Sequence, residues 1–165
     1  MKSIRSPAEL YAHAIAIERE AAGRYAELAL RMDDLGNAPV AEVFAELARA
    51  EAEHLRALER RTEGVSLPPL SSRQYSWLGS EAPETPAREL LFNLMTPRNA
   101  LAIALGAEKR AEAFFEQVLL TAEDPALRGL AREMAADEAE HVTLIEQLLA
   151  RTPERVDWAA LYQGG

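Results

Sequence analysis

Two of the three histidines in this chain stand three residues after a glutamate, in Glu51-Ala-Glu-His54 and Glu138-Ala-Glu-His141. Residues three apart lie on one face of a helix, so each motif presents a carboxylate and an imidazole in the same direction. Two more glutamates, Glu18 and Glu108, are each followed seven residues later by an aromatic, Tyr25 and Phe115. Carboxylate oxygen and imidazole nitrogen together suit iron or manganese better than a thiolate-seeking metal. The chain has no Cys, which excludes disulfides, thiolate metal sites and Cys-ligated iron–sulfur centres.

The register of these residues decides between a metal site and an ordinary charged surface. Apolar residues repeat at four- and three-residue steps along Tyr11, Ile15, Ala22, Tyr25, Ala29 and Met32, and Glu18 falls inside that stripe. Glu51 and His54 interrupt the stripe of Val40, Phe44, Leu47 and Leu58 in the same way. Glu108 lies between Leu105 and Phe115, with Ala111 or Glu112 following, and Glu138 and His141 lie between Met134 and Ile145, a stripe that continues to Leu148. A solvated face does not occupy core positions. An isolated buried carboxylate costs several kcal/mol, and four together repel one another. Two divalent cations cancel four carboxylates, and a Glu from each of two helices plus Glu-x-x-His from the other two is the di-metal constellation of helix bundles. Glu18, Glu51, His54, Glu108, Glu138 and His141 are therefore the expected ligands of two metal ions.

Other polar residues read differently. Glu20, Glu27, Glu46, Glu53, Glu59, Glu140 and Glu146 fall off the stripes, as solvated or supporting charges. His13 has no glutamate three residues before it and reads as surface or interhelical packing. Phe115 reads as core, whereas Tyr25 is a candidate for a hydrogen-bonding or redox role beside the metals. Glu112 is either a spare carboxylate near the site or a charge at the bundle edge.

The elements that must position these groups are four helices of a single all-α domain, 1–165. Ser6-Pro7-Ala8-Glu9 combines an N-cap, a first-position Pro and a capping-box Glu, and opens a helix over about 7–32. Asn37 is the expected cap of a second helix over 38–62, with Gly64 just beyond it. Thr96-Pro97 and Asp124-Pro125 open helices over 97–122 and 125–151. Short connections within each pair imply antiparallel hairpins, and the connector 63–96 is the long crossover of a ferritin-like four-helix bundle. That connector holds Pro68, Pro69, Pro83 and Pro86, and its second part, from Pro86 to Met95, is a candidate short helix. The tail 152–165 carries Trp158 and Tyr162, either of which suits docking on the bundle or a partner. The two Glu-x-x-His segments repeat at an offset of 87 residues, so the chain is built like a duplicated hairpin.

A formal charge of −9 with no basic stripe argues against nucleic acid. Charges interrupt the N-terminal segment too early for a signal peptide, and no stretch is apolar enough to span a bilayer, so a cytoplasmic location is expected.

The segments Ile17–Tyr25, Phe44–His54, Ala107–Phe115 and Asp137–His141 resemble the ferritin-like superfamily, and within it the rubrerythrin-like proteins. The resemblance implies that Glu51 and Glu138 bridge two iron ions, that Glu18 and Glu108 are terminal ligands, and that each imidazole binds one ion. It implies an oxidoreductase that reduces hydrogen peroxide or dioxygen at a diferrous centre. The alternatives are an iron-storage protein with ferroxidase activity, or a structural metal site. Rubrerythrins proper also carry a Cys-ligated rubredoxin domain, and with no Cys here the implied electron donor is external. They carry an extra Glu three residues after the third-helix ligand, where this chain has Ala111. The haem-binding Met of bacterioferritins is replaced by Ala52, so no haem is implied. A homodimer or larger homo-oligomer is the expected assembly.

Overall fold

The computed structural model describes residues 4–70 and 95–152. The proposed short helix of the connector, apart from Met95, and the tail residues Trp158 and Tyr162 lie outside this range. Among the described residues the secondary structure is four long helices: α1 (Pro7–Asp34), α2 (Ala38–Arg61), α3 (Pro97–Thr121) and α4 (Pro125–Arg151).

Local chemistry explains most of the boundaries. Ser6 Oγ accepts from the Glu9 N–H at 3.2 Å. The Glu9 carboxylate reaches one residue further back than a capping box requires, to the Arg5 N–H at 2.9 Å. Helix α1 runs past Met32 to Asp34 and closes on Gly36, whose φ of +74° favours a residue without a side chain. The Gly36 N–H bonds to Asp33 O and the Asn37 N–H to Met32 O, both at 2.8 Å, which satisfies the final carbonyls in a Schellman turn.

Asn37 departs from expectation. Its side chain makes no cap bond to α2, and its Nδ2 donates instead to the Met95 carbonyl at 2.6 Å. The residue ties the start of α2 to the start of α3. Thr96 and Asn99 form a reciprocal capping box, and Asp124 Oδ1 accepts from the Leu127 N–H at 2.7 Å. Arg98, in the first turn of α3, donates to the Leu149 and Thr152 carbonyls and pins it to the end of α4.

Helix α1 packs along α2 and α3 along α4, and the two hairpins meet through α1 against α4 and α2 against α3. Early α2 (Val40, Phe44) packs with early α3 (Ala100, Leu101), so these helices run parallel. Leu10 and Leu127, near the starts of α1 and α4, share a cluster, so those two are also parallel. Parallel neighbours α2 and α3 require a long connection rather than a tight turn, and 35 residues separate Arg61 from Pro97 in the sequence.

The apolar core is divided. One cluster contains Leu10, Ile17, Ala111, Phe115, Leu127 and Met134, and the other contains Tyr25, Met32, Phe44, Ala104 and Ile145. On every helix the residues between the two clusters are the polar ones singled out above. The stripes hold with one exception, Leu148, which is exposed.

Candidate metal centre

Glu18 from α1, Glu51 from α2, Glu108 from α3 and Glu138 from α4 are each only 4–7 % exposed. They interrupt the core at one level because each lies about a turn from apolar residues on both sides, as Glu138 lies between Met134 and Val142. His54 and His141 are half-buried, and His54 stands at the open side of this layer.

The side chains converge. His141 Nδ1 lies 3.3 Å from Glu108 Oε2, 3.7 Å from Glu138 Oε2 and 3.9 Å from Glu51 Oε1. His141 Nε2 lies 3.3 Å from His54 Nε2. Carboxyl groups bond pairwise, Glu18 with Glu51 and Glu108 with Glu138. One donor atom each from Glu51, Glu108 and His141 lie within 4.8 Å of one another, a group able to hold a metal ion. A void of about 20 Å³ is enclosed among the four glutamates, with Ala107 and Ala111 in its wall. That is room for one water-sized species.

Burial and mutual repulsion show in the proton affinities. Glu18 is pushed up to about 8, first by burial and then by the charges of Glu138 and Glu108, against the pull of its bond with Glu51. Burial and the bond to Glu18 push Glu51 up to about 10. Burial and Glu108 push Glu138 up to about 9. Burial lowers His54, as does the neighbouring His141. At His141 burial pulls the same way, but the Glu108 bond and the Glu51 and Glu108 charges outweigh it and raise the value. Without cations, these carboxyls share protons to remain in the core.

The structure thus brings together all six residues that the spacing singles out. Tyr25 is fully buried, and its hydroxyl donates to Glu108 Oε1 at 3.0 Å. Phe115 is core. Glu112 is half-buried, and Ala111 rather than Glu112 faces the void. Of the two readings of His13, interhelical packing holds: it is buried on α1 against Phe114 of α3, with ring centroids 5.5 Å apart and no hydrogen bond to Nδ1.

A cavity of about 310 Å³ opens on the layer from the His54 side. Glu18, His54 and Glu138 form its floor, Ala14, Ala57, Leu58, Phe115 and Met134 its walls, and Glu53, Arg61 and Asp137 its rim. Sequence spacing did not reveal this space. Alanine in a helix signals propensity, and only the packed bundle shows that Ala14 and Ala57 leave room. Adjacency was the one available clue to the rim, since Glu53 and Asp137 each precede a ligand candidate.

A rubrerythrin family model matches residues 9–88, which span α1, α2 and part of the connector. An uncharacterized conserved protein from Magnetospirillum magnetotacticum, solved by crystallography, is 35 % identical. The alignment covers 92 % of this chain and 98 % of that one, with a TM-score of 0.73. The chain belongs to the rubrerythrin-like family. No protein of curated function matches it. Rubrerythrin-like proteins are a ferritin-like di-iron family, and this member shows the all-α bundle of that class together with a carboxylate and histidine group suited to a metal.

The donor chemistry fits such a centre. Four carboxylates would balance two divalent charges, each histidine could supply one nitrogen, and the void is lined by all four carboxylates. No described helix is long and apolar enough to cross a membrane.

Proposed function

We infer that the protein is a non-haem di-iron oxidoreductase that reduces hydrogen peroxide or dioxygen, with electrons from an external donor. The observation that carries this reading is the convergence of four buried carboxylates and two imidazoles at the break between the core clusters. Glu51, Glu108 and His141 would hold one ion, and Glu18, His54 and Glu138 beside them would supply the donors for a second. When bound, two ferrous ions supply two electrons and Lewis-acid stabilisation of the leaving oxygen. Manganese suits the same donors.

The protein's own part is positional. Tyr25 holds Glu108 from the closed side of the layer through a 3.0 Å bond. The cavity admits the oxidant from the opposite side, past His54. On the side away from the cavity, the cluster of Tyr25, Met32, Phe44, Ala104 and Ile145 packs against the carboxylate layer.

Anaerobic titration with ferrous iron, followed by stopped-flow mixing with peroxide or oxygen, tests the proposal. Two ions bound per chain and a ferric oxo-bridged spectrum are expected, with faster oxidation by peroxide if the protein is a peroxidase. Binding without any optical change on oxidant addition would leave only a structural metal. A large shell-like assembly would favour storage over turnover.

A further inference from the structure

The cavity above the carboxylate layer is larger than hydrogen peroxide or dioxygen requires. At about 310 Å³ it is some fifteen times the void among the glutamates and within the range of small-molecule sites. Hydrogen peroxide has two heavy atoms. The walls are apolar side chains of four helices, Ala14, Ala57, Leu58, Phe115 and Met134, and the floor is polar. An apolar band of five side chains between this polar floor and a charged rim, in a concavity of this volume, suits a small molecule with an apolar body and a polar end.

Charge narrows the class of occupant. The rim carries Glu53 and Asp137, and its one cation, Arg61, is already bonded to both oxygens of Glu133 and lies 5.6 Å from the Tyr11 ring centroid. With Glu133 counted, three carboxylates face one guanidinium that is engaged elsewhere. An anionic ligand such as a fatty acid would meet net repulsion on entering, whereas an uncharged one would not.

We propose that this cavity binds an uncharged organic hydroperoxide, its apolar body lying along Ala57, Leu58, Phe115 and Met134 and its peroxide group on the floor at His54 and Glu138. The inference rests on the di-iron reading for its chemistry. Breaking the O–O bond would consume two protons from solvent and two electrons, which a bound di-ferrous pair would supply, and would leave an alcohol and water.

Binding is separable from that chemistry, and cumyl alcohol, the reduced product of cumene hydroperoxide, is the probe. It is titrated into metal-free protein and into redox-inert zinc-loaded protein while methyl resonances are followed by NMR. Saturable shifts of the Met134, Ala57 and Ala14 methyls are expected in both forms. Ala57→Phe fills the cavity and should weaken binding about tenfold or more, the equivalent of about 1.4 kcal/mol. Equal affinity in a folded Ala57→Phe variant would place the probe elsewhere and overturn the inference. The wild-type titration decides the matter even if that variant does not fold, because absence of shifts at those methyls in either form also overturns it. The anionic analogue 4-isopropylbenzoate should not bind, and affinity equal to that of the alcohol would refute the assignment to uncharged ligands. Zinc stoichiometry on the same samples reports separately on the metal centre. Two ions bound without probe shifts would sink only the organic substrate.

Discussion

A glutamate in the middle of a helix bundle is a liability that only a cation or a proton can relieve, and Glu51 shows how large it is. Its affinity for a proton is pushed from the ordinary 4.5 to about 10. At pH 7 the folded chain therefore holds a proton that an unfolded chain has released, at about 1.4 kcal/mol per pH unit, or about 3 kcal/mol above pH 4.5. Glu51→Gln keeps the shape and removes the titration. It should stabilise the metal-free protein by up to about 3 kcal/mol at pH 7 in urea denaturation, and reduce the metal bound per chain. A destabilised Glu51→Gln protein would contradict the picture of a core held at a disadvantage for the sake of its ligands. Tyr25 acts in the opposite sense. Its hydroxyl is a buried donor to Glu108, so Tyr25→Phe leaves that carboxylate short of a partner and should cost about 1–3 kcal/mol in the metal-free protein. Because Tyr25 fixes one oxygen of a proposed ligand, the same variant should also weaken ferrous binding. A variant that lost stability but kept full ferrous affinity would show that Tyr25 only packs.

The helices were the most legible part of the sequence, because caps and heptad stripes are local signals. Pro7, Pro97 and Pro125 stand at the first positions of three helices, and Thr96 and Asp124 cap as their types suggest. The ligand candidates were legible for a related reason: charge inside an apolar stripe is visible without coordinates. Interactions between elements were not. Asn37 looks like an N-cap by type and position, yet its amide is spent on the Met95 carbonyl, a partner far away in sequence. The Arg98 bonds to the end of α4 and the cavity at Ala57 also depend on which helices become neighbours. This difference can be tested at Asn37. A true N-cap tolerates Asn37→Asp, since both side chains accept from backbone N–H groups. A carboxylate cannot donate to a carbonyl, so here Asn37→Asp should cost about 1–2 kcal/mol in chemical denaturation. Asp124→Ala, the loss of an ordinary cap, should cost about 1 kcal/mol. If Asn37→Asp is neutral, the tie between α2 and α3 contributes nothing.

At the scale of the whole molecule, three raised carboxyls make stability depend on pH in an unusual direction. Glu18, Glu138 and Glu51 titrate at about 8, 9 and 10 in the fold, against an ordinary 4.5. Below pH 4.5 folded and unfolded chains hold these protons alike. Between 4.5 and 8 only the folded chain holds them, so raising the pH favours unfolding, by as much as about 4 kcal/mol per pH unit for three protons. A typical domain has about 5–15 kcal/mol in total, so the effect is large. The melting temperature of the metal-free protein should therefore fall from pH 5 to pH 8. Bound divalent ions replace the protons, so metal affinity should rise with pH and the melting temperature of the loaded protein should not fall. The formal charge of −9 adds repulsion of the same sign, but that part belongs to exposed groups and is screened at high salt. Calorimetry across this pH range at low and high ionic strength separates the two. A slope that survives salt and disappears on metal loading belongs to the buried carboxyls, whereas a metal-free protein that grows more stable toward pH 8 would mean that they are not protonated in the core.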